Sequence, residues 1–257
     1  MLFIESKNNN LFKEIKKLKE KKYRNQSKKF LIEGLRFVEE AIKNNAKIEK
    51  VLYTESFRTK HGDKLSFNSN IEQIILSENL LKELSFTEKP QGIIAVVSIE
   101  NKEMKEGDII VLVDKVQDPG NMGTIIRTAH AVNASALIIT KGTVDIYNDK
   151  TLRSTMGSIF KVPIIEDDDL SVIKSLKEQG FKLVVSSLQG ENNFFEEDLK
   201  DKVIIAVGNE GNGISDDVYL LADKKVKIPM PGDAESLNVA VATSIMLYEK
   251  LRQNIVK

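Results

Sequence analysis

Apolar residues recur at Leu11, Ile15 and Leu18 among lysines, and this spacing predicts an amphipathic helix over 11–22. Phe37, Val38, Ala41 and Ile42 form the apolar stripe of a second helix over 33–45. Short β-like runs follow at 51–54, 71–76 and 92–99, with a helix over 77–84 between the last two. Beyond a charged stretch the pattern becomes regular. Apolar runs occupy 109–113, 136–140, 162–165, 183–188, 203–207 and 226–230, and helical stretches separate most of them. Such alternation predicts an α/β fold, a mainly parallel sheet with helices on both faces. The division expected from this pattern is a small α/β domain over 1–100, a linker over 101–107 and a larger domain over 108–257.

Composition narrows the function classes. The chain has no cysteine and two histidines, His61 and His130. Thiol catalysis and disulfides are excluded, and a histidine-rich metal site is not expected. No apolar run reaches the roughly 18 residues of a membrane span, and Met1–Lys7 lacks the layout of a signal peptide. A cytoplasmic protein is the expectation. Net charge is zero, yet residues 1–105 hold 21 Lys+Arg against 15 Asp+Glu, and the remainder 17 against 23. A basic module joined to an acidic body suits an RNA-gripping role, and a solvated helix face explains the same lysines.

Three segments carry candidate chemistry. Asp118-Pro119-Gly120-Asn121-Met122-Gly123 follows the run 109–113 and leads into a helix bearing Arg127. Asn121 is placed to cap that helix. Gly208-Asn209-Glu210-Gly211-Asn212-Gly213 follows the run 203–207 with no spacer. Glycines there permit φ > 0 and close approach of a ligand to the backbone, and strand ends are where α/β proteins bind ligands. Ile228-Pro229-Met230-Pro231-Gly232 breaks the last strand and leads to Glu235-Ser236-Leu237-Asn238 and a small-residue helix. Ser236 or the acid before it is the expected cap. No G-x-G-x-x-G follows the first strand of the domain, so the Rossmann dinucleotide fingerprint is missing. The run Glu166-Asp167-Asp168-Asp169 suits a solvated loop and helix cap better than a metal site.

In order and spacing these segments resemble the three motifs of the SpoU branch of the SPOUT RNA methyltransferases. The likeness rests on Asn121, Gly123, Arg127, Thr128 and Ala129; on Gly208, Glu210 and Gly213; and on Ile228 to Met230, Gly232 and Ser236 to Ala240. It spans about 107 to 252. The first hundred residues, through Phe30 to Gly34, Arg36, Val38 and Gln91 to Ala95, are similar to the small RNA-binding domain that precedes the catalytic domain in many members.

The resemblance implies transfer of a methyl group from S-adenosylmethionine to a ribose 2′-hydroxyl of RNA, without a metal. It implies a SPOUT fold with a C-terminal trefoil knot and a homodimer through the C-terminal domain. A helix over 239–251 is consistent with pairing, because Val241, Ile245, Met246, Leu247 and Leu251 offer more apolar surface than one core face needs. The catalytic set expected is Arg127, Asn121, Glu210, Ser236 and Asn238. Arginine stays protonated, so Arg127 suits phosphate clamping and stabilisation of a developing alkoxide better than base catalysis. Glu210 is expected to hold Arg127 or to take a proton indirectly, and Asn121 is either cap or RNA ligand. The cofactor is expected against Leu188, Gly208, Asn209, Glu210, Ile228, Met230 and Leu237, largely through backbone. RNA contacts are expected from Lys21, Lys22, Arg24, Lys28, Lys29 and Arg36, and from Arg153 and Ser154 in a segment that also resembles the family.

Ribosomal RNA is the expected substrate, because the N-terminal domain suits a folded element. Transfer RNA is the alternative. A catalytically silent RNA-binding or assembly protein on the same fold has less need of Arg127, Glu210, Ser236 and Asn238 together. A nucleotide-dependent oxidoreductase lacks the glycine fingerprint.

Overall fold

The computed structural model describes residues 2–62, 67–188, 190, 192–232 and 234–255. It separates into two units, Met1–Glu100 with Tyr147–Phe160, and Asn101–Ile146 with Lys161–Lys257.

In the first unit, strands β1 (Leu2–Ile4), β2 (Lys29–Glu33), β3 (Ile48–Tyr53), β4 (Glu72–Leu76) and β5 (Ile93–Ser98) form one sheet in the order β1-β4-β3-β5-β2. β5 runs antiparallel to both β2 and β3, while β4 is parallel to β1 and β3. Period-two alternation sends Leu31, Leu52, Ile74, Ile94 and Val96 to one face. There they pack on Phe12, Ile15 and Leu18 from helix α1 (Asn10–Lys17) and its end, and on Leu80, Leu81 and Leu84 of α5 (Glu78–Leu84). Of the elements the apolar pattern did not predict, β1 and β2 are strands of three and five residues, too short to show a period, and α4 (Glu55–His61) has Phe57 as its one large apolar residue. The helix expected over 11–22 is two helices. α1 stops at Lys17, and α2 (Lys21–Ser27) turns back so that the Arg24 guanidinium donates to the carbonyls of Leu18 (2.9 Å) and Lys19 (2.8 Å).

Phe30 points to the opposite face of β2, and what covers it comes from far along the chain. Its ring centroid lies 4.8 Å from Tyr147 and 6.5 Å from Phe160, and Phe160 lies 5.6 Å from Phe37 of α3 (Leu35–Lys43). The segment between these two aromatic residues forms α7 (Asp149–Thr155) and a 3₁₀ turn. Gly157 has φ +85, and a Cβ there would stand 3.0 Å from that of Glu40. A single boundary near residue 100 does not show this excursion. The stretch 101–107 groups with the second unit, where the Lys105 amide donates to the Ser135 carbonyl at 3.0 Å.

The second unit is built on a parallel sheet: β6 (Ile109–Val113), β7 (Ala136–Ile139), β8 (Ile164–Glu166), β9 (Lys182–Ser186), β10 (Asn192–Asn193), β11 (Val203–Val207) and β12 (Lys224–Lys227), in the order β10-β12-β9-β11-β6-β7-β8. α8 (Ser171–Glu178) and α9 (Asp216–Leu221) bury Ile173, Leu176 and Val218 against Ile110, Leu112 and Ile204. α6 (Pro119–Ala131) and α10 (Val239–Ile255) pack together, with a 3.1 Å contact between the Thr128 and Ser244 hydroxyls. α8 begins where the acidic run was read as a cap: the buried Asp167 carboxylate accepts from the amides of Val172 (3.2 Å) and Ile173 (2.9 Å).

Two strands end earlier than their apolar runs. β9 stops at Ser186 and β12 at Lys227, which releases Leu188 and Ile228 to Met230 into loops at the C-terminal edge. From β6 the chain moves outward through β7 and β8, then resumes at β9 on the far side of β11. The neighbours β6 and β11 therefore flank the switch point of the sheet, where the loops diverge and leave a crevice.

Candidate active site

Two of the three motif loops leave the sheet at this switch point, and the third returns to it. The loop after β11 closes on itself: Asn209 and Gly213 exchange both backbone hydrogen bonds, at 2.8 and 2.9 Å. A Cβ on Gly208 would overlap the Gly213 carbonyl, so the glycine is required by the loop's own closure. The Asn209 side chain accepts from the amides of Gly211 (3.0 Å) and Asn212 (2.9 Å) and donates to the Lys115 carbonyl (2.9 Å). Gly213, at φ +69, has open space where a side chain would be.

Glu210 projects from this loop onto the start of α6. Its carboxylate accepts from the amides of Gln117 and Asp118, each at 3.1 Å, and from the Asn121 side-chain amide at 3.0 Å. Partial burial pushes its pKa up, but the donors from Asn121, Gln117 and Asp118 outweigh this and hold it below the ordinary glutamate range. The Asn121 side-chain oxygen in turn accepts from Asn238 at 2.9 Å. Asn238 uses its own oxygen to cap α10, accepting from Ala240 (3.0 Å) and Val241 (3.3 Å). One hydrogen-bonded chain, Glu210–Asn121–Asn238, thus joins all three motifs.

Two caps differ from expectation. α6 is capped by Asp118, whose side chain accepts from the Asn121 amide at 2.8 Å, with Pro119 at the first helical position. Proline is favoured there because it has no N–H to leave unpaired, and the helix therefore begins two residues before Asn121. α10 is capped by Asn238, so neither Ser236 nor Glu235 takes that role. Ser236 is exposed ahead of the helix, with no hydrogen-bond partner among the described residues.

Arg127 is exposed on α6 and has no ion pair or hydrogen bond among the described residues. Of the two roles expected of Glu210, holding Arg127 or taking a proton indirectly, the first is not seen: the three donors from the start of α6 take that carboxylate. The sequence reading also missed Asp114. It is fully buried at the end of β6 and accepts from the Thr140 hydroxyl (2.7 Å) and the Ser215 amide (2.6 Å). It ties β6 and the residue after β7 to the far end of the glycine-rich loop. An acid closing a five-residue apolar strand was the available signal.

The expected cofactor residues gather at this edge from β9, β11 and β12, which are neighbours in the sheet. Leu188 is 57% exposed in the loop after β9, Ile228 is buried, and Met230 and Leu237 are half-buried. Gly190 approaches the Val226 backbone so closely that a Cβ would stand 2.6 Å from its carbonyl carbon. Apolar side chains, close backbone and open space at Gly213 and Gly232 suit an adenosine held by main-chain groups.

The RNA candidates lie in the first unit. Lys21, Lys22, Lys28 and Arg36 are exposed. Lys29 pairs with Glu49, whose pKa burial raises but the Lys29 and Ser98 hydrogen bonds lower more. Arg24 is a correction: it is 5% exposed, and its guanidinium is committed to the carbonyls between α1 and α2. Arg153 pairs with Asp149 at 2.9 Å, and the Ser154 hydroxyl donates to the Lys150 carbonyl at 2.8 Å, both on α7.

Residues 108–248 match the model of the SpoU rRNA Methylase family, and residues 9–95 match the MRM3-like substrate binding domain. The chain belongs to the SpoU rRNA methylase family. A Bacillus subtilis (strain 168) relative, named 23S rRNA (guanosine(2553)-2'-O)-methyltransferase RlmP, is 37% identical over 245 residues, covering 95% of this chain and 97% of its own. Among solved structures, the SpoU methyltransferase AviRb from Streptomyces viridochromogenes in complex with AdoMet superposes with a TM-score of 0.87 at 29% identity, covering 97% of this chain and 99% of its own. An AdoMet-bound rRNA methyltransferase from Sinorhizobium meliloti superposes at 0.86 with 31% identity, covering 97% of both chains. The second unit's α/β architecture is thus the SPOUT methyltransferase fold.

Proposed function

We propose that this protein methylates a ribose 2′-hydroxyl of ribosomal RNA, using S-adenosylmethionine. Family membership and the similarity to named rRNA 2'-O-methyltransferases support the reaction class. The observation that carries the site is the Glu210–Asn121–Asn238 chain, which locks the three motif loops around the switch point. When bound, the cofactor supplies an electrophilic methyl group on a sulfonium. The protein must then fix the RNA backbone, align the hydroxyl and stabilise its oxygen as the proton leaves.

The side chains divide these tasks. Glu210, Asn121 and Asn238 spend their polar atoms on one another and are positioning residues. Arg127 and Ser236 keep theirs available for RNA. Arg127 clamps phosphate and offsets the developing alkoxide charge, a role its permanent charge suits. The exposed lysines of the first unit supply RNA affinity.

Two further parts of the proposal rest on topology and surface. β12 lies between β9 and β10, which are consecutive in the chain, so the chain crosses from one side of β12 to the other between them. Gly190 against the Val226 backbone supports the same threading, and we read the C-terminal region as a trefoil knot. On α10, Val241, Tyr248 and Ile255 are 47%, 52% and 69% exposed and stand seven residues apart, while Met246 and Leu247 are buried in the unit's own core. This stripe supports a homodimer through α10, with a narrower apolar seam than the sequence suggested. A cytoplasmic site of action belongs to the same proposal, since ribosomal RNA is its substrate.

Transfer of labelled methyl from S-adenosylmethionine to deproteinised 23S rRNA, followed by mapping of 2′-O-methyl sites, tests the reading. One protected position that is lost with Arg127→Ala is the expected result. RNA binding without any transfer would favour a silent assembly protein, and transfer to tRNA alone would change the substrate.

A further inference from the structure

The first unit contains a cavity of about 240 Å³ between α1, α2 and strands β2, β3 and β5. Leu11, Ile15, Leu18 and Val96 give it an apolar floor, and Tyr23 of α2 forms part of its wall. Two ammonium groups stand near the Tyr23 ring, Lys17 Nζ at 5.4 Å from its centroid and Lys22 Nζ at 5.9 Å. Among the described residues neither lysine has an acid partner. The other lysines on the rim are already matched, Lys29 by Glu49 and Lys50 by Glu72. Glu14 also lines the cavity and has no ion pair among the described residues, so the two unmatched lysines near Tyr23 leave a surplus of one positive charge there.

We propose that this cavity receives one unstacked base of the RNA substrate, stacked on Tyr23, with the neighbouring phosphates on Lys17 and Lys22. The inference rests on the RNA methyltransferase reading and adds a base-binding subsite remote in sequence from the three motifs. Size is the first argument. The cavity is smaller than the roughly 300–1,000 Å³ of pockets for drug-sized ligands, and suits a single planar ring system. Surface chemistry is the second. An aromatic wall over an aliphatic floor matches the faces of a base, and proteins read RNA sequence mostly from unstacked bases laid on aromatic rings. Charge is the third. A lysine beside a half-buried tyrosine ring gains less than a stacked base does, so an arriving base displaces the ammonium groups onto its own phosphates. An apolar segment of another protein would leave Lys17 and Lys22 without a counter-charge, which favours RNA as the occupant.

The test uses the full chain and its Tyr23→Phe, Tyr23→Leu and Tyr23→Ala variants, with melting temperatures recorded for each. One probe is a short single-stranded oligouridylate carrying a central 2-aminopurine; the other is deproteinised 23S rRNA. Tyr23→Phe should bind both as the wild type does. Tyr23→Leu and Tyr23→Ala should each lose about tenfold in affinity, the usual effect of removing one stacking ring. The salt slope of binding should stay unchanged, because stacking releases no counterions. The 2-aminopurine fluorescence should fall on binding to the wild type and to Tyr23→Phe, and not to Tyr23→Leu. In methyl transfer, KM for rRNA should rise with kcat preserved. Unchanged RNA affinity and KM in a folded Tyr23→Leu would overturn the subsite while leaving the methyltransferase reading intact. Tyr23-dependent RNA binding by a protein that transfers no methyl would leave the subsite standing and remove the enzymatic reading. Equal losses in Tyr23→Phe and Tyr23→Leu would also overturn it, since the phenyl ring keeps the stacking face.

Discussion

The two units use their polar side chains in opposite ways. At the switch point of the second unit, Glu210, Asn121, Asn238, Asn209 and Asp114 bond to one another and to backbone, and Arg127 and Ser236 are left over. In the first unit, cations are plentiful, and part of them is consumed. Arg24 caps carbonyls between two helices, Lys19 donates to the carbonyls of Glu83 and Ser85, and Lys16 and Lys29 pair with Glu83 and Glu49. Lys21, Lys22 and Lys28 remain outside these networks. In both units the residue type marks the chemistry, and the presence or absence of a partner separates scaffolding from function.

The sharpest way to break this division is Arg127→Ala. An exposed arginine without partners should leave stability and cofactor affinity unchanged, while single-turnover methyl transfer falls about a hundredfold, roughly 3 kcal/mol of transition-state stabilisation. A loss of stability of that size would mean that Arg127 belongs with the scaffold.

Asp114→Ala should show the opposite profile. It removes the acceptor of the Thr140 hydroxyl proton and of the Ser215 amide, although Thr140 still accepts from the Lys115 amide. The loss should cost about 2 kcal/mol in denaturant unfolding, with cofactor affinity lowered because the glycine-rich loop is no longer tied at Ser215. Asp114→Asn retains one acceptor and should fall between. Wild-type stability in Asp114→Ala would remove the scaffold role.

Joint substitution of Lys21, Lys22 and Lys28 by glutamine should weaken rRNA binding about tenfold and reduce its salt slope by about two units, given roughly 0.7–0.9 unit per phosphate contact. Cofactor affinity should not move. Charge substitution is a cleaner test than deleting residues 1–100, because a deletion uncovers Tyr147 and Phe160, which pack on Phe30.

The smallest expected effect concerns pH. The Glu210 pKa is held below its ordinary value, so its stabilising contribution is present above the unfolded pKa of about 4.3 and is lost as pH falls through the lower folded value. The stability difference between wild type and Glu210→Gln should therefore be flat from about pH 7 to 5 and shrink only below the ordinary glutamate range. A difference that shrinks already near neutrality would place the carboxylate outside the hydrogen-bonded chain.

What was legible in the sequence follows physical locality. Four of the six apolar runs after residue 107, those of β6, β7, β9 and β11, could be read because strands covered on both faces are apolar almost throughout. β8 is half-exposed, and β12 buries only Val226, so the run 226–230 marked the loop beyond that strand more than the strand. Asn121, Arg127, Glu210, Ser236 and Asn238 could be picked out because they sit in short motifs with glycine and proline around them. Arg24 could not be told from its lysine neighbours, since composition does not show that two helices fold back and enclose one guanidinium. Asp118 does not stand out as the cap, because Asn121 is a capping residue type as well and the sequence does not mark where the helix starts.

By itself the sequence determined the α/β class, the family and the residue types from which the reaction must be built. Those depend on hydrophobic period, strand order along the chain and motif spacing, all local properties. Only the tertiary structure decided which polar atoms meet. The Glu210–Asn121 bond spans 89 positions and the Asn121–Asn238 bond 117. The aromatic cover of Phe30 comes from Tyr147 and Phe160. Such partners are set by sheet order and chain return, and a hydrogen bond or ring contact depends on distances of a few ångströms that no spacing along the chain encodes.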